Sequence, residues 1–135
     1  MSFSNYTEAA ILNSLFGKTS DFGALASAPT IHVALFTDAP DDTGGGTEAD
    51  YTSYARVSTA ASDWNEASGG GALDNANAIS FPEATGGSST VTHFGLYDAA
   101  TSGNYLGGGA LASSLAVSSG ITPEFAAGEL DATLD

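Results

Sequence analysis

The chain has 135 residues, 42% of them hydrophobic and none of them cysteine, the size of one domain with a core but without disulfides or thiolate metal sites. Two basic residues, Lys18 and Arg56, face sixteen acidic ones for a formal net charge of -14, which removes the cationic surface that a nucleic-acid backbone or an anionic membrane needs. No apolar run reaches the roughly 18 residues of a membrane span, and the start lacks the basic region and cleavage site of a secretory signal.

The first element is a helix over about 5–16. Asn5 is the expected N-cap, with Glu8 three positions on as in a capping box. Ile11, Leu12, Leu15 and Phe16 form an apolar stripe that packs on the rest of the domain or docks a neighbour, and Gly17 and Lys18 end the helix. "GKTS" (17–20) has the tail of a phosphate-binding loop, but Leu12 occupies the required glycine position and Gly17 closes a helix rather than opening one.

After Pro29 the period changes to two. "TIHVALFT" (30–37) is apolar on both faces, which predicts a central strand. "DAPDDTGGGTEAD" (38–50) is a loop. "SYARVSTA" (53–60) reads as a second strand, "SDWNEASGGGALDNANA" as a loop around Trp64, and "AISFP" as a short strand stopped by Pro82. "TVTHFGLYD" (90–98) and "YLGGGALASSLAV" (105–117) form a hairpin, with "DAATSGN" as its turn and Gly103 and Asn104 as the expected positive-φ residues. In "GELDATLD", Leu130, Ala132 and Leu134 alternate with Glu129, Asp131, Thr133 and Asp135, one side buried and the other wet. The whole predicts a mainly β chain, an antiparallel β-sandwich or jelly-roll-like domain with one N-terminal α-helix. It is expected as a single domain over 1–135, with the sandwich over about 29–135.

Candidate chemistry is sparse. His32 and His93, the two histidines, fall inside predicted strands, and no nucleophile elbow accompanies them, so both are read as packed sheet residues. Asp38, Asp41, Asp42, Glu48 and Asp50 share one loop and are the candidate calcium ligands by residue type. Their spacing matches no calcium motif, and a solvated acidic loop is the simpler reading. Arg56 is the sole arginine, set among aromatics in "SYARVS". It either meets a partner or closes an ion pair with a loop carboxylate. No cofactor is implied, and no enzyme activity.

Taken in order, "MSFSNYTEAAILNSLFG", "IHVALFTDAPDDTGGGTE", "YARV", "AISFPEATG", "TVTHFGLYDAATSGNYL" and "FAAGELDATLD" resemble the small tailed-bacteriophage proteins known as phage tail fibre proteins, from about residue 2 to residue 135. The chain departs from that pattern at "GGSS", where the family carries an aromatic before "TVTH". The resemblance implies a non-enzymatic virion component on the particle surface, a homo-oligomer with other tail or capsid proteins as partners. A compact β-domain led by an amphipathic helix also suits a capsid-decorating or head-fibre protein, because the sequence lacks the repeats or heptads of a fibre shaft. Arg56 and the helix stripe are the interface candidates toward a partner. A host surface glycan is the outside alternative, with Tyr51, Tyr54, Trp64 and Tyr105 as its stacking platforms.

Overall fold

The computed structural model describes residues 4–18, 28–67 and 71–134. It is mainly β, with 39% strand against 10% helix, which places the chain in the predicted class of antiparallel sheets with one helix. The chain groups into two compact units. One takes the described residues of 1–30, 60–79 and 125–135, and the other takes 31–59 and 80–124.

The first unit begins with helix α1 (Asn5–Leu15). Its N-cap is Ser4 rather than Asn5: the Ser4 Oγ accepts from the Thr7 N–H at 3.3 Å. Both are good capping types, and the chain starts its turn one residue earlier than the N-x-x-E spacing suggests. At the other end Lys18 N–H donates to Asn13 O at 2.7 Å and Gly17 N–H to Ser14 O at 3.3 Å. This pair of bonds is a Schellman motif, closed by Gly17 at φ +72°.

The buried face of α1 differs from the predicted stripe. Leu12 and Phe16 are buried, but Ile11 and Leu15 are only half-buried, and Glu8, Asn13 and Ser14 go inward instead. Asn13 accounts for the rotation. Its amide donates to Ala67 O at 3.3 Å and accepts from Ala67 N–H at 2.7 Å, so a polar side chain is satisfied inside. Phe16 meets Trp64 edge to face at 4.8 Å, which makes the supposed loop around Trp64 part of the core.

The same unit contains a 3-10 turn (Ala61–Asp63) and a two-stranded sheet. The sheet is β3 (Ala72–Asp74) paired antiparallel with β8 (Asp131–Thr133), Leu73 opposite Ala132. The alternation predicted at the end of the chain is present: Leu130 is buried, Ala132 and Leu134 half-buried, and Glu129, Asp131 and Thr133 exposed. Asp135 lies outside the described residues, as do Thr19 and Ser20 of the "GKTS" stretch. Asn75, fully buried, fixes this region. It donates to Asn77 O and Ala126 O at 2.8 Å each and accepts from Leu130 N–H at 2.9 Å.

The second unit is built on a four-stranded antiparallel sheet. Its strands are β1 (His32–Phe36), β2 (Val57–Ser58), β5 (Ser88–Tyr97) and β6 (Tyr105–Ser118), in the order β2-β1-β5-β6. Strand β1 is internal and nearly all buried, as its two apolar faces predicted. The predicted strand 53–60 shrinks to Val57–Ser58, because Tyr54 and Arg56 leave the ladder to use their side chains elsewhere. Two further strands, β4 (Ile79–Ser80) and β7 (Glu124–Phe125), pair with each other.

The β5–β6 hairpin matches its prediction in extent but not in regularity. The register shifts between Val91 and His93 and again between Leu96 and Tyr97, so β6 carries extra residues. At the turn, Asp98 Oδ1 accepts from Asn104 N–H and Asp98 Oδ2 from the Asn104 amide, both at 2.7 Å. The positive-φ residues are Ser102 (55°) and Gly103 (79°), not Asn104.

Candidate functional site

Arg56 is the centre of the one charged constellation that the sheet unit builds on its β1 side. Its Nε and Nη2 donate to the two oxygens of Glu48, each at 2.9 Å. Nη1 donates to Ala99 O at 3.1 Å and Ser102 O at 2.8 Å, both in the β5–β6 turn. The guanidinium carbon lies 3.6 Å from the centroid of the Tyr97 ring, a cation–π contact. The Arg56 side chain is 9% exposed and that of Glu48 28%. One planar fork thus ties the loop before β2 to the acidic loop and to the hairpin turn, which a lysine has no geometry to do.

Tyr54 completes the network. Its hydroxyl donates to Glu48 Oε1 at 2.6 Å and accepts from the Leu35 N–H at 3.1 Å. The reason lies in the short second strand. Strand β2 pairs only with His32 and Val33, and farther along β1 the segment around Glu48 takes over, with Ala49 N–H donating to Leu35 O and Thr37 N–H to Thr47 O. Leu35 N–H falls in the gap between these two partners, where an orphaned buried donor would be costly. The phenol fills it.

The electrostatics follow the contacts. Burial pushes the Glu48 carboxyl up, but hydrogen bonds from Arg56 and Tyr54 and the guanidinium charge outweigh it, and the group titrates below its ordinary range. Burial, and then the neighbouring carboxylate, push the Tyr54 phenol far up. The hydrogen bond to Glu48 holds Arg56 above its ordinary value.

Beneath Arg56 one face of the sheet is aromatic. Phe36 and Tyr97 stack at 6.4 Å and Tyr105 meets Tyr97 edge on at 5.5 Å, around Ala34. The acidic loop folds onto this face: Tyr97 Oη donates to Gly44 O at 3.3 Å, and a Cβ at Gly44 would lie 2.7 Å from the Tyr105 Cβ. Beside the Arg56–Glu48 pair an open cleft of about 460 Å³ is lined by Tyr54, Ala55 and the turn residues Ala100, Thr101 and Ser102.

The five candidate calcium ligands do not converge. Asp38 accepts from Thr47 N–H at 2.6 Å and from its hydroxyl at 3.0 Å. Asp41 accepts from Thr43 and Gly45 N–H at 2.8 Å each and from the Thr43 hydroxyl. These bonds hold both carboxyls below their usual range. Asp42 is exposed, Asp50 Oδ1 accepts from the Ser89 hydroxyl at 3.2 Å, and Glu48 belongs to Arg56. Among the described residues no group of three His, Asp or Glu side chains is placed to hold a metal ion. The histidines are also apart: His32 pairs with Tyr97 and His93 with Phe36, four positions along the ladder, or ~13 Å. His93 Nδ1 shares a hydrogen bond with the Thr92 hydroxyl at 2.8 Å.

The proposed stacking platforms are mostly internal. Tyr51 and Trp64 are each 2% exposed, Tyr54 is tied into the network, and Tyr105 packs on Tyr97. Arg56 and Glu48 were both visible in the sequence, one as a contact and one as a calcium ligand. Tyr54 stood out only as a stacking platform, and Tyr97 and the carbonyls of Ala99 and Ser102 did not stand out at all. The available signal was a sole arginine two residues after a tyrosine in a strongly acidic chain, which asks for several acceptors at once.

A mainly β protein with one capped helix, whose charged residues brace its own loops, is the class these features define. Over residues 2–133 the chain matches the family model described as podophage GP4 fiber I protein gp80, and it belongs to that family of phage fibre proteins. No curated protein matches it. Membership makes it a structural component of a phage virion.

Proposed function

We propose that the protein is a non-enzymatic fibre component at the surface of a tailed-phage particle, of tail-fibre type, assembled as a homo-oligomer against other virion proteins. The observation that carries this reading is the family match across nearly the whole chain. The candidate site supports it. The residues that first invite a chemical role, Arg56, Glu48 and Asp98, are bonded within the protein as braces. The charge of -14 keeps the surface away from nucleic acid and anionic membrane and suits a particle exterior that must stay dispersed.

Labelling purified virions with gold-conjugated antibody raised against the recombinant protein tests the location. Label on the tail is the expected result. Label distributed over the capsid would replace the tail-fibre reading with a head-fibre or decoration protein, and particles free of label would overturn the virion reading altogether. A glycan array run with the same protein addresses host recognition. Binding abolished by Tyr105→Ala would add a receptor role, and a blank array leaves the scaffold reading as it stands.

A further inference from the structure

The two sides of the four-stranded sheet are treated in opposite ways. On the β1 side the fold closes its backbone groups one by one, with β2, with the segment around Glu48, and with a tyrosine hydroxyl spent on the N–H of Leu35. On the other side stands β6, fourteen residues long and last in the strand order, with β5 as its sheet partner among the described residues. Its residues are exposed or half-buried apart from Val117.

An open edge of this length is ordinarily blunted by charge, proline or a cover. Here Tyr105–Ser118 has no proline, and no charged residue occurs from Ala99 to Pro123 in a chain of net charge -14. The strand is rich in Gly, Ala and Ser, with Leu106, Leu111 and Leu115 half-buried. Register shifts at Leu111–Ser114 and at Leu106 are the features that resist pairing, and the longer one leaves strand on both sides of it.

We propose that β6 is a self-association edge: it pairs antiparallel with β6 of a second copy, joining two four-stranded sheets about a two-fold axis. Two observations and the symmetry of the contact choose this occupant. A partner drawn to an acidic protein by charge would dock on its carboxylates, whereas this edge is neutral. A head-to-tail contact would need a matching long edge at the other side of the sheet, and the outermost strand there, β2, has only two residues. An isologous contact needs no second surface, since one edge serves as both donor and acceptor. The proposal deepens the homo-oligomer of the reading above but does not depend on where the particle carries it.

Light scattering after size exclusion on the full chain, from micromolar to near-millimolar concentration, tests the pairing. Wild type should run as a dimer. Ala112→Glu with Ser114→Glu should run as a monomer with unchanged circular dichroism and melting temperature when measured as monomers, and Thr101→Glu, on the hairpin turn, should stay dimeric. A wild-type monomer throughout, a trimer, or a dimer that survives the paired Glu substitutions would each overturn the proposal. The natural chain has no cysteine, so single cysteines placed at each position from 110 to 118 give a second readout that needs no disruption of the edge. Oxidative cross-linking should peak at one position and fall off on both sides, as a two-fold axis requires. A flat or absent profile overturns the two-fold pairing even if the Glu variant fails to fold.

Discussion

Arg56 shows how much one side chain can hold when every neighbour is an acceptor. Lysine keeps the charge but loses the fork and the stacking on Tyr97, so Arg56→Lys should lower unfolding free energy by about 1–3 kcal/mol in urea titrations. Arg56→Met should cost more, about 2–4 kcal/mol, because it leaves Glu48 without its cation. The loss stays below that of a fully buried pair, since Glu48 keeps 28% exposure. The carboxylate adds a pH dependence. Its folded pKa lies below its unfolded one, so its stabilising effect is complete above about pH 4.5 and is lost as pH falls through the folded value. The gap in melting temperature between wild type and Glu48→Gln should therefore narrow from about pH 6 to about pH 3. A gap that widened on acidification would contradict the assignment.

At the scale of elements, the joint between β1 and its two partial partners rests on Tyr54. Removing the hydroxyl alone leaves Leu35 N–H without its acceptor and takes one of the donors from Glu48, and Tyr54→Phe should cost about 1–3 kcal/mol. Hydrogen exchange should show the Leu35 amide losing protection in that variant while the β5 amides opposite keep theirs. Helix α1 offers a separate measure. Gly17 sits at φ +72°, and a Cβ added there would find its nearest neighbour, the Ala61 Cβ, 3.4 Å away. Gly17→Ala is therefore penalised by backbone strain rather than collision, about 1–2 kcal/mol in thermal unfolding. These two joints mark what was legible in the sequence. Period-two stretches such as 32–36 and 129–134, and the glycine that stops α1, declare themselves because local geometry repeats or demands a residue type. The shortening of the strand at 53–60 does not, because it depends on where Glu48 and the hairpin turn arrive in space. The turn of the α1 stripe toward Asn13 is hidden for the same reason: its partner, Ala67, is 54 positions away.

For the whole molecule the dominant fact is charge. Sixteen acidic residues against two basic ones repel one another across the surface, and salt relieves this while screening the partly buried Arg56–Glu48 pair much less. Raising monovalent salt from about 10 mM to about 1 M shortens the screening length from roughly 30 Å to roughly 3 Å, and the melting temperature should rise. A decrease would mean that exposed ion pairs, rather than net repulsion, govern stability.

The two units also differ in when they can exist. Every residue of the four-stranded sheet lies before residue 125, whereas Ala72–Asp74 must wait for Asp131–Thr133 to be made, and buried Asn75 for Leu130. The sheet can close on its own strands, which need nothing from residues 125–134, while β3 still waits for β8. On the pairing proposed above, a neutral edge formed before the first unit closes would meet identical edges on other chains while both are still folding.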